Sequence, residues 1–550
     1  MTATSNDEIV SVGPWRLALR GAELADVAFR GVLVLRAVRF VVRDHDWRTA
    51  DDTVLTRTVD GDDARIRIET SARYDGVEVV RTVLEVTLDD DTLRVSTVGT
   101  VTRAFRRNRV GFVVLHPPTL AGQPLTVRHP SGDTTATAFP FWIAPHQPAV
   151  DVAGLDWSVG ASALSLDLTG NVFETEDQRN WTDASFKTYS TPLAEPFPVA
   201  ITPGTTVRQG LSLRATAVGP AGAPGARSGG AASPAPDLAA LDGPGPGAVV
   251  TPSPTLQLLA GSAPVAARPD DADLLRGFPI LVEPVLGAPN VEAVLASARR
   301  DAGGAPLDVR FVTDDPVLLR AAIDAVLAGG PVARVGAFDP VSHVTTPALQ
   351  RALREAVAAV GALEVVAGTR AHFTELNRSI AVFSGWDGPL TCSVTPQMHD
   401  RSPEQVTESI RMQRWVVSSA SRLAAGRALH VGPVTLRPRF NAVATAPTRV
   451  ETDATVEHGY GPETVPDATD PAQHTPAAAR WFVDAVRALT VPGVASITLA
   501  EAWGPRGFVA ADGTGNAPPE GVGGAFRSGR ADGSARWSVA VRLSAGLRRS

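Results

Sequence analysis

The sequence predicts a multidomain chain: an antiparallel β-sandwich over residues 1–216, then a (β/α)8 barrel of the TIM type over residues 277–509. Three features predict it. Between residues 11 and 216 apolar and polar residues alternate with period two, and helical periodicity is nearly absent. Residues 217–276 are rich in glycine, alanine and proline and read as a linker. From Phe278 onward short apolar runs alternate with amphipathic stretches, the pattern of right-handed βαβ units and a parallel sheet.

The sandwich is clearest at a hairpin. Leu84, Val86 and Leu88 alternate with Glu85 and Thr87, Asp89-Asp90-Asp91 makes the turn, and Leu93 and Val95 alternate with Arg94 and Ser96. Similar runs occur at Val32–Val42, Ala64–Glu69, Val77–Val83, Val110–Leu115, Ala163–Leu168 and Thr206–Ala215. Many strands without helices favour two packed antiparallel sheets. The linker run GPAGAPGARSGGAASPAP lacks the apolar residues to fold alone.

The barrel strands are expected at Pro279–Val282, Val309–Val312, Ala333–Ala337, Leu363–Ala367, Leu390–Val394, Leu429–Leu436 and Ser496–Leu499. Helix starts are marked by Asp315-Pro316, Thr346-Pro347, Ser402-Pro403 and Thr475-Pro476, each an N-cap before a proline at the first helical position. Gln405, three residues after Ser402, adds a capping-box signal. Seven strands are one short of a closed barrel. The tail, residues 510–550, is rich in glycine, serine, alanine and arginine; only Trp537–Leu543 alternates like a strand, and it is the candidate eighth member. An open doubly wound sheet is the alternative, but no glycine-rich phosphate loop follows the first strand.

Composition narrows function. Net charge is −7 with both signs interspersed, which points away from nucleic acid. The single cysteine, Cys392, allows no internal disulfide and fits a reducing compartment. Met1–Val10 is not a secretory signal, and no apolar run approaches the ~20 residues that span a bilayer. A cytoplasmic protein without a membrane partner is the expectation. Oligomeric state is not legible. The ten histidines are scattered without His-x-His or HExxH, so no cofactor is expected, although a carboxylate–histidine site for a divalent metal stays open. No Gly-x-Ser-x-Gly nucleophile elbow is present.

One stretch stands apart. Phe173–Tyr189 packs Glu174, Glu176, Asp177, Arg179, Asp183 and Lys187 among four aromatics, with neither helical nor strand periodicity. So many charges need partners, so the segment is expected to line a polar cavity or an interdomain lattice. The run FETEDQRNWTDASFKTYSTPL resembles the signature of the D-apionate lactonase family. RVGFVVLHP at 109–117, FTELNR at 373–378, PVTLRPRFN at 433–441 and LAEAWGPRGF at 499–508 support the resemblance. It implies hydrolysis of D-apionolactone, a small sugar lactone, to D-apionate. It also implies a C-terminal β domain longer than residues 510–550 can hold.

In such barrels the chemistry sits at the C-terminal ends of the strands. Glu501 follows the seventh expected strand and Glu375 the fourth. That is the layout of a clan of retaining glycosidases, in which one carboxyl donates a proton and the other is nucleophile or base. The structural alternatives are an ion pair of Glu501 with Arg506 and, for Glu375, a solvated loop charge or a pair with Arg378. His399, after the fifth expected strand, is a third catalytic candidate. Arg437, Arg439 and Asn441 follow the sixth, where the guanidinium forks suit a carboxylate or oxyanion. At least one of those arginines is expected to pair with the acidic segment. Asn377 and Trp503 complete the candidate substrate contacts, with Glu176, Asp177, Arg179, Asp183 and Lys187 of the segment walling the pocket. A retaining glycoside hydrolase, with Glu375 as acid/base and Glu501 as nucleophile, and a non-catalytic sugar-binding protein remain the alternative functions.

Overall fold

The structure, a computed structural model, describes residues 7–60, 65–217, 253–262, 275, 277–361, 363–443 and 468–509. Contacts divide the chain into two compact units: one takes in the N-terminal strands, the other the barrel together with Arg179–Asp183.

The N-terminal unit holds two antiparallel sheets. One sets Val32–Asp44, Phe105–His116, Phe186–Tyr189 and Phe173–Asp177 side by side; the other contains Ser162–Thr169, Thr206–Ala217, Thr92–Val101 and Val77–Leu88. The expected hairpin forms in register, Leu88 opposite Leu93 and Val86 opposite Val95. The sheets share a core: Phe40 and Val42 of one pack with Ala72, Val80 and Val101 of the other. Gly99 leaves room for the Phe40 ring, which a Cβ there would approach to 2.7 Å. The acidic segment supplies two strands that its sequence hides. Every residue of Phe173–Asp177 and Phe186–Tyr189 is buried, so no polar face marks them.

The second unit is a closed parallel barrel. Its strands are β1 (Thr255–Leu259), β2 (Ile280–Val282), β3 (Leu307–Val312), β4 (Val332–Phe338), β5 (Glu364–His372), β6 (Leu390–Val394), β7 (Leu429–Val434) and β8 (Val494–Trp503). Each pairs with the next, and β1 also pairs with β8, which closes the ring. The eighth member therefore comes from the stretch expected to be a linker, and the place proposed for Trp537–Leu543 is taken. The tail lies outside the described residues.

The outer helices are α1 (Val291–Ala302), α2 (Pro316–Ala328), α3 (Pro347–Val360), α4 (Phe373–Arg378), α5 (Pro403–Ala424) and α6 (Pro476–Leu489). All four N-caps form as expected: Asp315, Thr346, Ser402 and Thr475 each accept a backbone N–H of the first turn. Only half of the capping box forms: Ser402 Oγ accepts the Gln405 N–H at 3.2 Å, while the Ser402 N–H donates to Asp400 at 2.8 Å. The Gln405 side-chain NH2 donates to the carbonyls of Thr182, 3.0 Å, and Pro396, 2.8 Å. Among the described residues no helix is long and apolar enough to cross a membrane.

The barrel interior is polar where branched apolar side chains are usual. Asp308 on β3 is fully buried between Arg310 and Arg334, each 2.9–3.0 Å from its Oδ2. Burial pushes the Asp308 carboxyl up, but the two guanidinium groups outweigh it and hold the pKa below the ordinary 3.8. Arg334 also donates to Gln257 of β1 at 2.9 Å and Glu364 of β5 at 2.8 Å. Replacing one partner of a buried pair strands the other charge, at a cost of about 3–5 kcal/mol. Asp308→Asn is therefore expected to lower stability by about that amount at pH 7, measured by urea denaturation. The depressed pKa means that the carboxylate stabilises the fold above pH 3.8 and loses its contribution as pH falls below it. The stability gap between wild type and variant should accordingly close in acid.

Candidate active site

Because β1 lies upstream of the first expected strand, every strand number rises by one. Glu375 follows strand five, His399 strand six, Arg437 and Arg439 strand seven, and Glu501 lies on strand eight. The four-and-seven layout of the glycosidase analogy is not what this barrel has.

Glu501 sits in a closed polar knot. Its Oε2 accepts from the Ser262 N–H at 3.0 Å, both of its oxygens lie 2.8 Å from Ser262 Oγ, and Arg506 Nε is 3.0 Å from Oε1. Arg506 also donates to Ser262 Oγ. The structural alternative, an ion pair with Arg506, is what forms. Trp503 is buried and donates its indole N–H to Asp301 at 3.1 Å, so its role here is packing, not a platform for a sugar ring.

Glu375 has a different environment. It lies in the first turn of α4, half-buried as a residue but with its Oε2 enclosed and without a hydrogen-bond partner. Burial pushes its carboxyl up to about 7; Arg378 and the N–H groups at the helix start offset this only in part. Two further polar atoms of the same turn, His372 Nδ1 and Thr374 Oγ1, are also buried and unpartnered.

Around this turn the strand ends bring together Arg439 and several groups that the sequence analysis did not single out. Glu283, directly after β2, is held by Arg370 (Nε at 3.0 Å, Nη2 at 2.9 Å) and Arg439 (Nη1 at 2.8 Å, Nη2 at 3.3 Å). Arg439 Nη2 also donates to the Arg370 carbonyl at 2.9 Å. Burial works against the Glu283 charge, yet Arg439 and Arg370 bring its pKa down to about 2. Phe440 lies beneath both guanidinium groups, 4.4 Å from Arg370 and 5.3 Å from Arg439, and 4.7 Å from the His343 ring. His343 and His372 stay neutral. Burial and the nearby arginines bring them down to about 4 and about 3, and each keeps a buried, unpartnered Nδ1. Neutral imidazole edges suit substrate hydroxyls.

The turn Arg179–Asp183 belongs to this unit. Asp183 Oδ2 accepts from His399 Nδ1 at 2.7 Å, and the Trp181 ring packs edge-on against His399. With Nδ1–H given to Asp183, the neutral ring carries its lone pair on Nε2. Arg179 stacks on Trp415, its guanidinium 4.3 Å from the ring, and Asn180 accepts from Asn377 at 3.0 Å. Thr182 donates to the Thr395 carbonyl.

The other candidates have other partners. Arg437 pairs with Asp470 at 2.9 Å, so it and Arg439 both find barrel carboxylates and not the acidic segment as expected. Asn441 is half-buried beside Phe440. In the N-terminal unit Glu176 pairs with Lys187 across neighbouring strands, Lys187 stacks on Tyr189, and Asp177 accepts from the Ala144 N–H at 3.0 Å. Among the described residues no group of three or more His, Cys, Asp or Glu side chains could hold a metal ion.

Comparison with known proteins bears on what this site serves. Residues 2–218 match the family model described as D-apionate lactonase, N-terminal domain, and residues 320–531 match D-apionate lactonase, TIM barrel domain. A curated D-apionate lactonase from Brucella anthropi is 35% identical over 198 residues, which are 35% of this chain and 32% of that protein. The match thus spans about a third of the relative's length. Among solved structures, a glycoside hydrolase family 97 enzyme from Pseudoalteromonas sp. strain K8 is 10% identical, covering 79% of this chain and 75% of its own, with a TM-score of 0.27. An α-galactosidase of family 36 from Geobacillus stearothermophilus is 9% identical, covering 92% and 81%, with a TM-score of 0.26. Those scores carry no argument. The two family models do, one falling on the paired sheets and one on the barrel from α2 onward: the chain belongs to the D-apionate lactonase family.

Proposed function

We propose that this chain is a sugar-lactone hydrolase that opens D-apionolactone to D-apionate, a step in the breakdown of the branched sugar apiose. The observation that carries the reading is Glu375, a carboxyl at the end of a barrel strand with an unpartnered oxygen and a pKa near working pH. General acid–base groups are most effective in that range. Family membership and the name of the Brucella anthropi relative supply the substrate.

The chemistry follows from the groups present. Ionised Glu375 takes a proton from water as the water oxygen attacks the lactone carbonyl carbon. The carbonyl electron pair moves onto oxygen, and the oxyanion is met by cationic donors. As the intermediate collapses, the bond from that carbon to the ring oxygen breaks. The leaving oxygen takes a proton from His399 as imidazolium, and the proton that Glu375 took from water returns to His399 through solvent, so both groups end as they began. The product is a hydroxy acid, which ionises to the carboxylate. Neutral His343 and His372 hold hydroxyls. The retaining-glycosidase reading needs a second carboxylate free to attack, and both oxygens of Glu501 are engaged. A cytoplasmic setting suits the buried thiol of Cys392, which stays reduced there.

Four outcomes test this. Glu375→Gln keeps the shape and removes the proton transfer, so kcat for lactone opening should fall roughly 10²–10⁴-fold. A fall below tenfold, in steady-state assays of acid release, would remove Glu375 from the mechanism. In the wild type kcat should rise with pH through about 7, as the Glu375 carboxyl ionises, and this limb should vanish in the variant. The same raised pKa makes the fold less stable as pH climbs from 4.5 to about 7, because the folded state holds the proton longer. Glu501→Gln should show the reverse of Glu375→Gln: a lower melting temperature with kcat within about threefold of wild type, since it disturbs a buried ion pair only.

A further inference from the structure

The Arg370–Glu283–Arg439 group has a geometry that the mechanism above does not exploit. Glu283 is 5% exposed, while the side chains of Arg370 and Arg439 are 14% and 17% exposed. The carboxylate lies underneath and the two guanidinium groups lie over it. Four N–H contacts reach Glu283 and one reaches the Arg370 carbonyl, and Phe440 packs against both planes. Neither guanidinium can swing without breaking several of these bonds. Arg370 Nη1 and Arg439 Nε take part in none of them. One anion under two cations leaves a net charge of +1, which matches a single developing oxyanion.

We infer that Glu283 is a positioning residue that fixes Arg370 and Arg439 as an oxyanion fork over the barrel mouth. The inference rests on the lactonase reading for its substrate but not for its geometry. A neutral carbonyl gains little from loose cations, because they must reorganise as charge appears. Held donors need no reorganisation, so the stabilisation falls on the transition state and not on the bound lactone. A full carboxylate behaves differently. It draws mobile guanidinium groups to itself, and it binds better when no internal carboxylate competes for them.

This gives E283Q a signature that a structural role would not produce. Lactone kcat should fall about 10²-fold while KM changes less than about threefold. Binding of the aldonate product, measured by calorimetry on the full chain, should tighten by about tenfold. If Glu283 only holds the fold together, kcat will fall no more than the folded fraction does and aldonate binding will be unchanged or weaker; that result overturns the inference. R439K serves as a second variant, since it leaves Glu283 paired with Arg370 and keeps the charge but loses the fork. It should lose about 10²-fold in kcat and weaken aldonate binding, and normal kcat in R439K would equally overturn the inference. If the wild type opens no lactone, the functional reading fails. The fork is then judged by aldonate calorimetry alone: tighter binding in E283Q with weaker binding in R439K upholds it, and no change in either sinks it.

Discussion

The barrel depends on one buried carboxylate. Asp308 on β3 binds Arg310 of its own strand and Arg334 of β4. Arg334 goes on to Gln257 of β1, Glu364 of β5 and Ser496 of β8. Arg310 goes on to Thr391 of β6 and the Gly432 carbonyl of β7. One connected set of bonds therefore reaches every strand of the ring except Ile280–Val282. At its centre are buried charges, so each bond there is the alternative to an unpaired ion in low dielectric. A register slip on any strand would turn its contributing side chain to the other face and leave an orphan. Gly432 is part of the fit: its φ is +131°, and a Cβ there would meet the Thr498 carbonyl at 2.4 Å.

The mouth uses the same residue types with a different balance. Inside, the arginines and carboxylates answer one another across strands. At the strand ends Glu283 is also answered by Arg370 and Arg439, but Glu375, His372 and Thr374 keep buried atoms with no partner. Leaving such atoms unsatisfied costs about 1–3 kcal/mol each. Three such atoms fall on neighbouring residues of one turn. A substrate with a carbonyl and several hydroxyls would supply the missing partners.

Much of this was legible in the sequence, and the failures share a cause. The hairpin from Leu84 to Val95 and the four proline-following caps depend on neighbours within a few residues, and each formed as read. Thr255–Leu259 was missed because Gln257 interrupts a five-residue run and proline- and glycine-rich sequence surrounds it. Its reason for being there is Arg334, 77 residues away. Gln405 carried a local capping signal but spends its amide on Thr182, 223 residues away. The cue of an acid after an apolar run found both Glu375 and Glu501. It could not separate them, because what seals Glu501 is Ser262, 239 residues upstream in a stretch read as linker. The same cue passed over Glu283, whose strand is only three residues long and is followed by Pro284.

The acidic signature segment shows how one dense run of charge divides its work. Glu176 and Lys187 stand opposite each other on paired strands and neutralise each other. Between them in sequence, Arg179–Asp183 belongs to the barrel unit, where Asp183 meets His399. The two candidate groups are thus set by different means. Glu375 is raised toward 7 because burial outweighs what answers its charge. His399 has its tautomer fixed because Asp183 accepts its Nδ1–H. Acid and base roles in one site need groups whose environments differ in this way. A chain that provided a carboxylate to both, or to neither, would have two groups competing for one role.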